Sequence, residues 1–299
     1  MKRDKEKDLE GLQNFELLLD QVMTPPAGGP YPVWEAARYS LLGQGKRLRP
    51  KLLFAACQLF GPPPAQAPVF ACALEMVHTY SLIHDDLPAM DNDDFRRGRP
   101  SCHKVFGEAT AILAGDLLLN GAYELMAESL VSQPDPGPLA AMEVLARAAG
   151  GHGMILGQDR DLAQEGLETA SLEQIQKTAQ WKTAGLIQAA LLMGGHLSGA
   201  REQALEVLAL CGLAAGIAFQ IRDDILDCAS NRATLGKTPH KDQAAGKKTF
   251  VSLAGLEGAG RLLEEKTQEA SLAIRNLSQM GCMTESLEEL IRLLVERNY

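Results

Sequence analysis

The sequence predicts an all-α fold, a single large bundle of about ten or more helices. Three observations support this prediction. Apolar residues recur at helical spacing along most of the 299-residue chain, and no segment shows sustained two-residue alternation. Clusters of glycine and proline fall between the helical segments rather than in hairpin turns. Because 46% of the residues are apolar and no stretch has the composition of a linker, we expect one domain over residues 1–299.

The glycine and proline clusters also set the expected helix boundaries. A first amphipathic helix carries Leu9, Leu12 and Phe15, and it should end at the proline- and glycine-rich stretch 24–30. Similar clusters at 61–64 and 134–138 close two later helices. A polar loop should reach about residue 246, and two or three more helices should follow it. Before that loop, helices are predicted over about residues 31–43, 48–60, 65–86, 108–131, 139–158, 171–196 and 201–228.

Composition excludes several broad classes of function. The net charge of −9 argues against extensive nucleic-acid binding, although local clusters of basic residues leave room for an anion site. The six cysteines form no C-x-x-C pair, which indicates reduced, buried thiols and a cytoplasmic protein. No apolar run follows the charged N-terminus, so no signal peptide is predicted. The longest apolar run covers 13 residues, 207–219, and is too short for stable membrane insertion.

In residues 81–100 the acidic residues come before the basic ones. Five aspartates come first and three arginines follow them. Carboxylates this close repel one another unless a cation lies among them, and Mg²⁺ with oxygen ligands is the natural guest. The guanidinium fork of arginine binds phosphate bidentately. The stretch therefore predicts a magnesium and phosphate site, with a solvated acidic turn as the simpler alternative. Its charged residues are aspartates 85, 86, 91, 93 and 94 and arginines 96, 97 and 99.

A proline explains how the first acidic cluster can converge. Asp85 and Asp91 are six residues apart, which does not place them on one helical face. Pro88 between them disfavours helix and interrupts the hydrogen-bond ladder. We therefore expect the chain to bulge and return Asp91 toward Asp85.

A second acidic cluster ends another long apolar helix. Asp223 and Asp227 stand four residues apart, so their side chains share one helix face with Gly216 and Gln220. The negative end of the helix dipole favours cations at such a position. Two clusters of this kind, facing each other across a helical cavity, would hold several Mg²⁺ ions and one diphosphate.

These motifs, taken together, resemble those of a known enzyme family. Asp-Asp-x-x-x-x-Asp followed by Arg-Arg-Gly-Arg-Pro, with a later Asp-Asp-x-x-Asp, resembles the trans-isoprenyl diphosphate synthases, most of all the bacterial farnesyl diphosphate synthases. The resemblance implies a helical bundle around a deep central cavity and a homodimer. It extends over nearly the whole chain from Gly43, through 45–50 (Gly-Lys-Arg-Leu-Arg-Pro), His78, 115–118, 157–158, 182–183, 219–220, 236–237 and 246–249.

The resemblance also implies roles for individual residues. About three Mg²⁺ ions would grip an allylic diphosphate, held by Asp85, Asp91 and Asp223 with Asp86 and Asp227 as helpers. Asp224 would complete the catalytic group. The allylic diphosphate would contact Arg96, Lys182, Lys237 and Lys247, although Lys247 also reads as a solvated charge. Isopentenyl diphosphate would bind Lys46, Arg49, His78 and Arg97, although a histidine on an apolar helix is more often a core residue. Oxygens of Thr183 and Gln220 would stabilise an allylic cation.

Product length depends on the residues one helical turn before Asp85. In the resembling family a bulky aromatic residue there stops the growing chain, so Tyr80 predicts the C15 product farnesyl diphosphate. Ser81 points nearer the face of Asp85 on an ideal helical wheel, and its small side chain leaves the C20 product geranylgeranyl diphosphate open.

Four other interpretations compete with this one. Glu75-x-x-His78 is half of a di-iron bundle motif, but no second Glu-x-x-His occurs in the sequence. His84-Asp85 is typical of helical metal phosphohydrolases, but no histidine accompanies the second acidic cluster. A non-catalytic prenyl synthase subunit usually lacks one aspartate cluster, whereas both are present here. A terpene cyclase has little use for the basic segment 45–49.

Overall fold

The computed structural model describes residues 14–164, 170–229 and 248–296, which are almost entirely helical. The predicted all-α class is confirmed. The elements are α1 over residues 14–22, α2 Pro32–Leu41, α3 Leu48–Gln58, α4 Ala67–Asp85, β1 Phe95–Arg96, β2 Arg99–Pro100, α5 Cys102–Phe106, α6 Glu108–Ser132, α7 Pro136–Ala149, α8 Met154–Gln164, α9 Leu172–Ala179, a π-helical turn Gln180–Ala184, α10 Gly185–Leu197, α11 Glu202–Ala229, α12 Phe250–Gln279 and α13 Glu285–Glu296.

The chain divides into two compact units. The first unit comprises the described residues of Met1–Arg47 together with Pro68–Pro134, and the second those of Leu48–Ala67 and Asp135–Tyr299. The first therefore holds α1, α2, nearly all of α4, the two strands, α5 and α6. The second holds α3 and all helices from α7 onward. The single domain expected from the sequence stays a prediction.

Helix α4 forms the core of the first unit. Phe70, Leu74 and Val77 on this helix are fully buried. A helix that is apolar around its whole circumference is stable only when other elements surround it. Near its C-terminal end the helix changes character and carries Asp85, so the buried part anchors an acidic end.

The second unit is built around helices α10 and α11. Helix α11 packs along α10 on one side and α12 on another, while α10 also packs on α3 and α7. Gly194 on α10 lies so close to the carbonyl oxygen of Leu53 that a Cβ atom there would collide with it. The absent side chain therefore sets the close approach of α10 to α3.

Two boundaries differ from the sequence prediction. A single helix was expected over about residues 139–158, but the chain forms α7 and α8 with a break at 150–153 that contains three glycines. Helix α7 begins early because Asp135 caps it, accepting a hydrogen bond from the Gly137 amide at 2.9 Å. The short α5 and the β1–β2 ribbon were not predicted, because two-residue strands contain too little alternation to be detected.

One helix among the described residues, Glu202–Cys228, is long and apolar enough to cross a membrane, and 56% of its most apolar window is buried inside the protein. Core helices meet the same criterion.

All six cysteines are free thiols. Burial raises the pKa of the Cys57 thiol to about 11, so this thiol stays protonated.

The α3–α10 contact gives a stability prediction. Gly194→Ala should lower the free energy of unfolding by about 1–3 kcal/mol, because the added methyl group meets rigid backbone. Gly260→Ala is the control, since this exposed position in α12 has nothing within 4 Å among the described residues. It should raise the free energy of unfolding by about 0.5–1 kcal/mol. Urea denaturation of both variants measures the difference, and equal effects would contradict the packing argument.

Candidate active site

The first acidic cluster forms a closed turn at the end of α4. The backbone amide of Asp91 donates to the carbonyl oxygen of Asp85 at 2.9 Å, and that of Asp93 donates to Asp86 at 3.1 Å. Pro88 lies within the loop that these two bonds close. The predicted return of Asp91 toward Asp85 is therefore confirmed at the backbone. It results from two amide bonds, over six and seven residues, that replace the helical ladder.

The donor set of this turn fits magnesium. Asp85 and Asp91 are both half-buried. Among the described residues, no group of three or more Asp, Glu, His or Cys side chains converges to form a complete metal site. Mg²⁺ commonly takes one or two carboxylates and completes its octahedron with water and phosphate oxygens. Two carboxylates on a closed turn suit an ion that bridges to a phosphorylated substrate.

Asp86 and Arg96 bind each other. Arg96 Nε donates to both carboxylate oxygens of Asp86, at 2.9 and 3.2 Å, and Arg96 Nη2 also contacts this carboxylate. Arg96 Nη2 lies 3.5 Å from Asp93 as well. Burial lowers the pKa of Arg96, but the hydrogen bonds and charge of Asp86 raise it more, so the net shift is upward.

The pairing involves two residues with predicted roles, and these roles stay predictions. Asp86 was expected to help hold metal and Arg96 to clamp a diphosphate. Asp86 is only 2% exposed and its oxygens accept from Arg96, so its carboxylate is oriented toward the β-hairpin. A buried ion pair held by several hydrogen bonds fixes geometry as well as charge. Here it joins the acidic turn to β1.

The hairpin presents the next arginine differently. Residues Arg97 and Gly98 form the two-residue loop between β1 and β2, with φ angles of 54° and 75°. Two successive positive φ angles are the mark of a type I′ turn, whose second position suits glycine. Arg97 Nη1 is buried and has no hydrogen-bond partner within the described ranges. An orphaned, buried cationic donor of this kind suits an anionic ligand.

Charges of both signs surround Arg97. Burial lowers the pKa of its guanidinium; the charges of Glu75 and Asp86 oppose this effect, while Arg47 and Arg96 add to it. An open cavity with about 430 Å³ of space lies beside it. Its charged lining residues are Asp86, Arg96, Arg97 and Arg99.

A second group of functional residues forms a hydrogen-bonded chain in the second unit. The Thr183 hydroxyl donates to Gln220 Oε1 at 2.8 Å, and Gln220 Nε2 donates to Asp224 Oδ1 at 2.9 Å. Asp224 Oδ2 accepts from the Phe250 amide, the first of helix α12, at 2.8 Å. Asp224, 8% exposed, therefore satisfies an unpaired helix N-terminal donor, where the helix dipole favours a negative charge.

Lys182 and Thr183 lie in the π-helical turn. A π-turn widens the helix by one residue and recurs at functional sites. Gly157 on α8 packs so closely that a Cβ atom there would collide with the Lys182 backbone. Lys182 Nζ lies 2.5 Å from Asp161 Oδ2, a partner that the sequence did not suggest. Because Asp161 follows Gly157 by one helical turn, α8 both packs against the turn and orients its lysine.

The remaining predicted residues are placed as follows. Lys46 is exposed, Arg49 on α3 is 9% exposed, and His78 is half-buried on α4. Asp223 and Asp227 are half-buried on α11. Lys237 and Lys247 lie outside the described residues.

In two of the alternative interpretations, the residue expected to bind metal contacts another part of the protein instead. Glu75, the carboxylate of the di-iron half-motif, lies 2.9 Å from Arg47 and is 1% exposed. His84, expected as a ligand in a phosphohydrolase, points toward α6, where its Nε2 donates to the Ile112 carbonyl oxygen at 3.0 Å. Neither side chain is oriented as those metal sites require.

The buried Asp86–Arg96 pair generates a stability prediction. Arg96→Met should lower the free energy of unfolding by about 3–5 kcal/mol, because it leaves a buried carboxylate without its cation. Arg147→Met is the matched control, since Arg147 pairs with Glu143 at 3.1 Å on the surface. Its effect should stay below about 0.5–1 kcal/mol. Urea denaturation measures both variants. A loss for Arg96→Met no larger than that of the control would show that the pair does not hold the turn.

Comparison with known proteins places the chain in a family. A sequence profile of the polyprenyl synthetase family matches residues 32–290. Geranylgeranyl pyrophosphate synthase 9, chloroplastic, of Arabidopsis thaliana is 47% identical over 246 residues, which cover 81% of this chain and 68% of that protein. An FPP/GFPP synthase from Zymomonas mobilis has a TM-score of 0.86 and 33% identity, with 99% of this chain and 100% of that chain covered.

A further solved structure is a geranyltransferase from Helicobacter pylori, complexed with magnesium and isoprenyl diphosphate. It gives a TM-score of 0.84 at 34% identity, covering 96% of this chain and 94% of that chain. The match to the family profile over most of the chain agrees with the two aspartate motifs and the arginine-rich hairpin. The chain therefore belongs to the polyprenyl synthetase family, the trans-isoprenyl diphosphate synthases, and is a prenyltransferase.

Proposed function

We propose that this prenyltransferase condenses isopentenyl diphosphate head-to-tail with allylic diphosphates and releases geranylgeranyl diphosphate, the C20 product. The observation that carries the proposal is the closed turn that brings Asp91 back to Asp85, next to the hairpin that carries the unsatisfied guanidinium of Arg97. A carboxylate pair for magnesium beside a buried cation is suited to a diphosphate substrate.

The C20 product rests on the direction of two neighbouring side chains. Tyr80 packs edge-on against His84, with ring centroids 5.7 Å apart, and is 5% exposed. His84 in turn contacts α6, so the tyrosine is held on that face of α4. Ser81 stands four residues before Asp85 and shares its face. The small residue therefore lies below the diphosphate end, which leaves room for a longer product.

Geranylgeranyl synthases among the relatives favour the same product, so the C20 alternative replaces the C15 product predicted from Tyr80. Farnesyl diphosphate remains the second candidate. Its support is the name of the FPP/GFPP synthase among the similar structures.

In the proposed mechanism, the chain's residues bind, orient and shield. In the first unit, Asp85 and Asp91 would hold magnesium. In the second unit, Asp223, with Asp227 as a helper, is proposed as a further magnesium ligand, and about three ions are expected in all. Bound magnesium would supply the charge that makes diphosphate a good leaving group. The allylic C–O bond breaks, and its electron pair leaves with diphosphate. The double bond of isopentenyl diphosphate then forms the new carbon–carbon bond, and the proton it loses passes to the released diphosphate.

The hydrogen-bonded chain in the second unit would stabilise the cation. The hydroxyl proton of Thr183 is donated to Gln220, so the lone pairs of Thr183 remain available. Asp224 fixes the other end of the Gln220 amide and so determines which amide atom faces Thr183. Fixed dipoles of this kind stabilise developing positive charge without reorganisation. Lys182, held by Asp161, is proposed to bind the allylic diphosphate.

We also propose a cytoplasmic homodimer. The free, mostly buried cysteines suit a reducing compartment. Val105, Ile112 and Leu113 on α5 and α6 are 45–56% exposed, and a second subunit would remove this apolar surface from water.

The activity is tested by incubating the protein with Mg²⁺, labelled isopentenyl diphosphate and dimethylallyl or geranyl diphosphate, followed by chromatographic sizing of the product. A C20 chain is expected. Asp85→Ala should reduce kcat by about 100-fold or more, because it removes half of the carboxylate pair. No elongation by the wild-type protein would disprove the enzyme proposal, and wild-type rates in Asp85→Ala would disprove the role of the turn.

Product length is tested separately with two substitutions. Ser81→Phe should shorten the main product to C15 or less, because a bulky ring would then stand on the face of Asp85. Tyr80→Ala should leave a C20 product, since the removed ring packs against His84. The same chromatographic assay reads both variants. Longer products from Tyr80→Ala, with no change in Ser81→Phe, would restore Tyr80 as the residue that limits chain length.

A further inference from the structure

Arg47 is a buried arginine to which neither the sequence motifs nor the proposed mechanism gives a role. It lies in the loop between α2 and α3 and is 3% exposed. Its Nε and Nη2 donate to the two oxygens of Glu16, at 2.7 and 3.0 Å. Nη1 donates to Glu75 at 2.9 Å, and Nη2 also donates to the Gly43 carbonyl oxygen at 3.1 Å. The guanidinium thus joins α1, α4 and its own loop.

The surroundings keep this guanidinium charged but neutralised. Burial lowers the pKa of Arg47, yet the hydrogen bonds and charges of Glu16 and Glu75 raise it further, and the net shift is upward. With two carboxylates already on its fork, Arg47 has little electrostatic attraction left for a diphosphate. Its effect must therefore pass through the backbone.

The backbone at Arg47 is strained. Its φ angle is 48°, in the left-handed region that non-glycine residues rarely adopt. Such a conformation is unfavourable and persists only where surrounding contacts enforce it. The contacts to Glu16, Glu75 and Gly43 enforce it here. The ion pairs therefore determine the course of the loop rather than merely adding stability.

The loop held in this way approaches Arg97. A Cβ atom on Gly45 would lie 2.9 Å from Arg97 Nη1 and 3.4 Å from Arg47 Nη1. Arg97 Nη1 is the buried donor without a partner in the described part of the chain. Lys46, between the glycine and Arg47, is exposed. The strained turn at Arg47 thus places the Lys46 side chain on a segment of the first unit that neighbours the segment carrying Arg97.

We propose that Arg47, held by Glu16 and Glu75, is a positioning residue for isopentenyl diphosphate, because it fixes the Gly45–Lys46 backbone against Arg97. The inference rests on the proposed function. Arg47 itself makes no contact with the substrate. It determines whether Lys46 and Arg97 can engage the same diphosphate.

Arg47→Lys tests the proposal, since lysine keeps the charge but lacks the planar fork that reaches both glutamates. We expect the KM for isopentenyl diphosphate to rise about tenfold, while kcat and the KM for the allylic substrate change less than about threefold. Arg261→Lys is the matched control, because Arg261 pairs with Glu257 at 2.7 Å on the surface. It should change none of the three constants.

Thermal unfolding of each variant distinguishes a change in KM caused by misfolding from one caused by displacement of the Gly45–Lys46 backbone. If Arg47→Lys does not fold, Glu16→Gln replaces it, because Glu16 is 38% exposed and bonds only one side of the fork. The same one-sided rise in KM, about threefold, is then expected. Equal changes in both KM values, or no change, in a folded variant would overturn the inference. Lack of activity in the wild-type protein would instead overturn the proposed function, and this inference with it.

Discussion

The ion pair between Arg96 and Asp86 determines how the rest of the acidic turn can be used. Several carboxylates of this turn lie within a few residues of one another. Their mutual repulsion would destabilise the turn if no cationic side chain lay among them. Arg96 takes Asp86 with two hydrogen bonds and lies near Asp93. The carboxylates at the start and end of the loop, Asp85 and Asp91, are the pair proposed to hold magnesium. The arginine thus binds a different aspartate from the two that are proposed as metal ligands.

Adjacent arginines have opposite roles in the same hairpin. Arg96 lies in β1 and points to the acidic turn, whereas Arg97 is the first residue of the type I′ turn. The positive φ angles at Arg97 and Gly98 reverse the chain within two residues. The turn separates the two arginines, so that one neutralises the protein's own charge and the other keeps a buried donor without a partner in the described part of the chain.

Much of the fold and part of the site could be predicted from the sequence, for identifiable reasons. The helical period is repeated many times, so the class and most helix boundaries follow from it. The return of Asp91 follows from Pro88, a local effect of one residue on backbone geometry. The partners of the charged side chains could not be predicted. Asp161 meets Lys182 across 21 residues, and Glu16 meets Arg47 across 31, because helix packing brings them together.

The direction of the Tyr80 side chain could not be predicted from the sequence. Counting back from Asp85 selects Tyr80 as the residue that limits product length, since aromatic size is visible in the sequence. The direction of the ring depends on a contact that the sequence does not show. Gly115 on α6 has no side chain, and the ring of His84 occupies the space that a Cβ atom there would need. His84 is thereby drawn to α6, and Tyr80, one turn earlier on the same face, packs against it. A glycine on a neighbouring helix thus accommodates His84, against which Tyr80 packs, while Ser81 shares the face of Asp85 by its position in α4.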